Sequence, residues 1–315
     1  MESAGSLKKK PLDVQEKIRE NKEKQKMFRK LEKLVPVFLF LSAAFSVMTT
    51  LGILFTLLKE AVGFFSVVPV KEFFFNTSWK PWSGSFGVLP LITGTLLITF
   101  IAISVALPLG IAAAIFLSEY ANSRVRKVIK PTLEVLAGIP TVVYGFFALT
   151  FVTPILEKFI PELQIFNALS AGIVVGIMII PMVASLSEDA MNAVPNSLRE
   201  GALAMGSTKF EVAMKVVLPA AFSGVVASVV LAISRAIGET MIVTIAAGQS
   251  PNFTFDPTMS IQTLTAFIVQ GTSGDTTYGS TIYYSVYAVG ITLFVFTLAM
   301  NLLAQYIARR FREEY

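Results

Sequence analysis

The chain has 315 residues, 54% hydrophobic against 15% charged, with a net charge of +5 and a mean hydropathy of +0.68. That composition excludes a water-soluble domain of this length and identifies an integral membrane protein. Cysteine and histidine are both absent, which removes thiolate and imidazole metal sites, haem ligation by histidine, cysteine nucleophiles and any Ser-His-Asp triad.

Residues 1–33 form a polar tail with eleven Lys and Arg, from Lys8 to Lys33, and six acidic residues. This mixture just before a membrane span predicts a solvated topogenic tail with an amphipathic segment near lipid, not a nucleic-acid-binding arm. Crossing about 30 Å of hydrocarbon takes roughly 20 apolar residues in a helix. Six runs qualify: 34–58, 89–117, 132–153, 168–187, 217–247 and 281–307. Helices are expected throughout, because barrel strands would be shorter and would alternate apolar with polar. The first run is longer than a signal-peptide core and lacks a small-residue cleavage pattern, so it is expected to be retained as an anchor.

The loop 59–88 carries both tryptophans, Trp79 and Trp82, placed where interfacial anchors are expected. Interruptions are expected at Pro108-Leu109-Gly110 in span two and at Gly138-Ile139-Pro140 in span three, because proline frees a backbone carbonyl and bends the helix. The second break is either a packing kink or a lining of a transport path. Gly172 and Gly176 in span four have the spacing that lets helices approach closely. Glu134 is expected at the interface. The loop 248–280, rich in Thr, Ser, Gly and Pro, is long enough to cover a cavity mouth.

Basic residues alternate by side. The tail, the 118–131 loop (Arg124, Arg126, Lys127, Lys130), the 188–216 loop (Arg199, Lys209, Lys215) and the C-terminus (Arg309, Arg310, Arg312) are rich in them, whereas the opposite loops hold only Lys59, Lys71, Lys80 and Lys158. Both termini are therefore expected in the cytoplasm, as an even number of spans also requires.

Between spans four and five lies EDAMNAVPNSLREGALAMGSTKFEVAMKVVLP. After the Pro195 turn, Ser197 is expected to cap a short helix with Glu200 as its capping-box partner, and Gly206-Ser207 to end it. Leu203, Met205 and Phe210 have no evident core to enter and are expected to form a docking surface.

Glu200-Gly201-Ala202, three residues, Gly206, nine residues, Val216, one residue and Leu218-Pro219 resemble the EAA loop of binding-protein-dependent ABC importers, E-A-A-x3-G-x9-I-x-L-P. Gly201 and Val216 depart from that pattern conservatively. The resemblance implies an all-α integral membrane protein with the type I ABC importer permease fold: six transmembrane helices and a cytoplasmic coupling helix that enters a groove of a separate ATPase. In that scheme Leu203, Met205 and Phe210 are buried anchors, Glu200 a charge contact or helix cap, Gly206 the sharp turn, and Gly201 and Ala202 part of the coupling helix. ATPase closure would move the helix as a lever and rock the membrane halves between two states. No G-x-x-x-x-G-K-[ST] phosphate loop occurs, so this chain is expected to be no enzyme and to hold no cofactor, ATP and Mg belonging to the partner ATPase.

FGVLPLITGTLLIT (86–99), LAGIPTVVYGFFAL (136–149) and SRAIGETM (234–241) resemble the phosphate permeases of the PstC type. The likeness covers most of residues 86–305 and little of the tail and first span. It implies a prokaryotic plasma-membrane protein paired with a PstA-type second permease, a PstB-type ATPase dimer and an extracytoplasmic phosphate-binding protein. Its expected organisation is a tail (1–33), a first transmembrane helix (34–58), an outer loop (59–88), a transmembrane domain (89–307) with the coupling loop at 188–216, and a C-terminus (308–315).

Arg235 and Glu239 are four apart, so one continuous helix would place them on one face, about 6 Å apart along the axis and well inside the bilayer. Each unpaired charge there costs about 3 kcal/mol, so both must face protein or water. They form either a structural ion pair or an anion site, in which Arg235 offers its guanidinium fork to phosphate while Glu239 orients it. Ser234, Thr240, Thr244, Thr141 and Tyr144 are packing hydroxyls or complete an oxyanion shell. Alternatives are a permease of the same class for molybdate, sulfate or an amino acid, and an ion-coupled secondary transporter.

Overall fold

The computed structural model describes residues 14–274 and 276–310. The first thirteen residues of the basic tail, and residues 311–315 with Arg312, lie outside the described residues. The chain divides into two compact units at Thr56/Leu57. The first holds most of α1 (Val14–Phe65), whose membrane span begins at Leu34. In hydrocarbon no water can take up a hydroxyl proton. Ser42, Thr49, Thr50 and Thr56 accordingly donate to the carbonyl four residues earlier, at 2.9 to 3.0 Å, the local bond short hydroxyl side chains make in helices. The helix continues to Phe65 instead of ending at 58, so Lys59 and Glu60 are helical.

The second unit begins with the end of α1, then α2 (Val70–Phe75) and a small antiparallel hairpin of β1 (Trp79–Lys80) and β2 (Ser85–Phe86). Here the structure corrects the reading of Trp79 as an interfacial anchor. Trp79 is only 1% exposed and packs edge-to-face on Phe73, Phe86 and Phe267, whereas Trp82 is exposed. The loop supplies enough aromatic surface to build its own core, and such pairs add to simple burial.

Span two is α3 (Leu89–Ile115), which runs through Pro108 unbroken and widens into a π-turn at Phe116–Tyr120. Its main partner is span four, α7 (Ala168–Asn192). A Cβ on Gly172 would lie 2.7 Å from the Ile101 side chain, and one on Gly176 2.8 Å from the Ala102 carbonyl oxygen. The small-residue spacing thus does bring two helices together. Gly176→Val is expected to overpack this seam by about 1–3 kcal/mol and to lower the thermal melting point in detergent, while Gly201→Ala, with nothing within 4 Å of its Cβ, leaves it unchanged or raised.

Spans three and five are not single rods. Span three is α4 (Ser123–Ala137) followed by α5 (Thr141–Phe147), a π-turn (Ala148–Val152) and α6 (Thr153–Glu157), with an 88° bend between α4 and the rest. After α8 (Asn196–Ala204), span five starts as α9 (Lys209–Val212), a π-turn (Ala213–Val217) and α10 (Leu218–Ala220), then turns by 74° into α11 (Phe222–Ile237). A short α12 (Met241–Ala246) follows. Counting each bent pair once, the described residues hold six helices or helix pairs long and apolar enough to cross a membrane.

The loop 248–280 folds inward instead of merely covering a mouth. Its α13 (Leu264–Ser273) buries Leu264 and Phe267. Ahead of it, the Met259 and Pro257 carbonyls accept the N–H groups of Ala168 and Leu169, while the Asn167 side chain takes the N–H of Ser170. The otherwise unpaired first turn of α7 is satisfied in this way. The final span is α14 (Thr281–Arg310).

Candidate functional site

The segment between α7 and α9 protrudes as a short helix and a corner. α8 starts two residues sooner than the capping-box reading required: Pro195 occupies the N-cap with φ −58°, and no side chain caps it. The fixed φ of proline pre-sets the entrance, so Ser197 and Glu200 fall inside the helix and Glu200 is exposed. The capping box forms at the next helix, where Thr208 and Glu211 exchange bonds at the start of α9. Between them Gly206 adopts φ +88°, the left-handed conformation that favours glycine. Its N–H donates to Leu203, and that of Ser207 to Ala202, closing the helix end.

One face of α8 is seated. Leu198 and Ala202 pack against a cluster of Met191, Val194, Val212, Val217 and Val225, so Ala202 faces inward. The other face is bare: Leu203 is exposed, Met205 is 88% and Phe210 63% exposed. A Met and a Phe are thus left in the open beside a core that could have taken them.

Arg199 carries no mark in its sequence context, yet it ties this protrusion down. Nη1 donates to the Val194 carbonyl (2.6 Å) and to Asn196 Oδ1 (3.2 Å), Nη2 to the Met191 carbonyl (2.7 Å), and Nε to Glu119 Oε1 (3.2 Å) on the π-turn ending α3. A second cluster joins α4 to α7. Glu188, 1% exposed, receives Arg126 at 2.6 Å and Lys130 at 3.1 Å, and Lys130 also reaches Asp189 at 2.7 Å. Since α4 buries none of its residues, these pairs supply much of its attachment. The only signal in the sequence was a glutamate and an aspartate ending an apolar run.

The structure corrects the geometry expected around SRAIGETM. α11 ends at Ile237 with Gly238 as its C-cap, so Arg235 and Glu239 do not share a helix face. Glu239 is 7% exposed, and its Oε1 accepts the N–H groups of Met241 and Ile242 at 3.1 Å each, capping α12. Its carbonyl oxygen takes the Thr265 hydroxyl. Arg235 is exposed and forms no ion pair within 4.0 Å among the described residues.

The hydroxyls near these levels are mostly committed. Ser234 bonds Asn301 of α14, Thr240 the Gly238 carbonyl, Thr244 the Thr240 carbonyl and Tyr144 the Leu136 carbonyl. Thr141 opens α5, just after Pro140. The helices that follow the breaks at 138–140 and 238–240 are in contact: a Cβ on Gly145 of α5 would lie 3.0 Å from Ile245 of α12. Irregular backbone at depth is tolerated where it is buried in protein or lines a water-filled cavity. Glu134 is exposed on α4.

The fold, with broken spans and a protruding helix between spans four and five, is that of an ABC importer permease. The chain belongs to the family of binding-protein-dependent transport system inner membrane components, whose model matches residues 106–313. Among its relatives, a probable ABC transporter permease protein YqgH of Bacillus subtilis is 38% identical over 76% of this chain and 78% of its own length. A phosphate transport system permease protein PstC of Mesorhizobium japonicum is 35% identical, again over 76% and 78%. A bacterial alginate ABC transporter shares the fold with a TM-score of 0.58 at 18% identity, over 87% of this chain and 96% of that one. The MetNI methionine ABC transporter does so at 0.54 and 18%, over 75% and 100%. The chain is thus an ABC importer permease subunit, a membrane component.

Proposed function

We propose that this subunit forms half of the path for inorganic phosphate and is driven through α8 by a separate ATPase. The observation that carries the anion reading is Arg235, exposed one turn before the break at Gly238 and without an acidic partner within 4.0 Å among the described residues. A guanidinium fork left free at depth suits a tetrahedral oxyanion. Phosphate is favoured among oxyanions by the relatives named PstC. The partners on this reading are a PstA-type second permease, a PstB-type ATPase dimer holding ATP and Mg, and an extracytoplasmic phosphate-binding protein. Both termini lie in the cytoplasm. The test is uptake by proteoliposomes containing this chain with those partners. Phosphate is expected to enter in an ATP-dependent manner, and entry of molybdate, sulfate or an amino acid in its place would overturn the substrate.

A further inference from the structure

We infer that Arg199 is the joint that makes the coupling helix one rigid body with α3 and α7, and hence the positioning residue through which a push on α8 reaches the membrane. This rests on the proposed docking of α8 to an ATPase. Four acceptors from three separate places converge on one guanidinium: Glu119 on the π-turn that ends α3, the Met191 and Val194 carbonyls at the end of α7, and Asn196 at the start of α8. Both members of the ion pair are largely withdrawn from water, with side chains 15% and 9% exposed, so salt screens the pair little. Ser118 donates to the same Glu119 oxygen at 2.9 Å, which holds the carboxylate in place.

The direction of the bonds suits load transfer. A helix C-terminus leaves carbonyls without intrahelical partners, and a cation there is favoured by the helix dipole as well. The guanidinium is planar and its donors have a fixed fork geometry, so it resists shear between the elements it joins, whereas a lysine head is a single swivelling point. Without Arg199, α8 would keep the apolar seat of Leu198 and Ala202 and the short connection through Pro195. It would still dock, but it could pivot. Arg199 is therefore expected to govern transmission, not docking.

The chain contains no cysteine, so two spin labels can be introduced cleanly, at Ala204 on α8 and at Ile177 on α7, both exposed. Distances between them are measured by pulsed electron paramagnetic resonance in the full complex with its ATPase, with and without nucleotide. In the parent the label separation is expected to stay constant between states. In the double variant Arg199→Met with Glu119→Gln, which leaves no buried carboxylate unpaired, it is expected to change with nucleotide while ATPase association stays within about threefold of the parent. Solute uptake per ATP hydrolysed should fall about tenfold or more, and Arg199→Lys should recover part of it. An unchanged label separation and unchanged uptake per ATP in the double variant would overturn the joint. Failure of the unsubstituted chain to bind the ATPase would overturn the docking reading beneath it. Because the distance measurement needs no transported solute, an error about phosphate leaves it unaffected.

Discussion

Aspartate at both Met205 and Phe210 is expected to weaken association with the ATPase by about 10²- to 10³-fold, since each anchor of this kind contributes roughly 2 kcal/mol and each tenfold costs about 1.4 kcal/mol. The chain itself should stay folded. Both side chains are exposed, Met205 at 88%, and the corner between them is set by the backbone of Gly206 and by the Thr208–Glu211 capping box, neither of which is touched. The measurement is co-purification of the ATPase with the tagged permease, beside the melting temperature of the permease alone. Normal association of a folded double variant would remove α8 from the interface. Glu200→Ala provides a contrast. Glu200 neither caps α8 nor bonds a neighbour among the described residues, so any loss it causes is expected to arise at the partner, as a charge contact, and not from unravelling of the helix.

Arg235→Ala is expected to reduce phosphate uptake by about tenfold or more, consistent with loss of a charge-assisted contact of about 1.5–3 kcal/mol, with the complex assembled in normal amount. Glu239 should behave differently. If its task is to cap α12, Glu239→Gln keeps a side-chain oxygen for the Met241 and Ile242 N–H groups and retains most transport, whereas Glu239→Ala leaves two donors near a buried break unpaired at a cost of about 1–3 kcal/mol each. Uptake assays on the three variants, normalised to assembled complex, separate the roles. Equal losses in Arg235→Ala and Glu239→Gln would restore a functional pair of charges. Full activity in Arg235→Ala would dismiss Arg235 as an anion contact.

The conformation of the loop between α7 and α9 was legible to a large extent because its signal is local. Proline, glycine and the apolar residues act within a few positions of one another, and a left-handed turn at Gly206 follows from the residue type. Even there the cap was misplaced. Two adjacent capping patterns compete in PNSLRE and STKFE, and the one at Thr208 formed while Pro195 started α8 unaided. Close approach at Gly172 and Gly176 was likewise readable, because small residues at that spacing leave a groove whichever helix fills it.

What lay beyond reach depended on partners distant in the chain. Arg199 meets Glu119 across eighty positions, and Arg126 meets Glu188 across sixty-two, and a single sequence offers no cue that these charges meet. Trp79 entered a core because phenylalanines from α2, β2 and α13 pack on it, not because of its immediate neighbours in sequence.

By itself the sequence determined the membrane class, the number of spans, the protruding helix and the family it resembles, since hydropathy and short motifs are properties of contiguous residues. Only the tertiary structure decided that spans three and five are broken by 88° and 74°, that Glu239 caps a helix instead of holding Arg235, and that Arg199 on α8 bonds to Glu119 after α3 and to the carbonyls at the end of α7. Apolar runs read the same whether straight or bent, because hydrophobicity specifies burial in lipid or protein but not direction. Direction is set where freed backbone groups and charges find their partners from other elements.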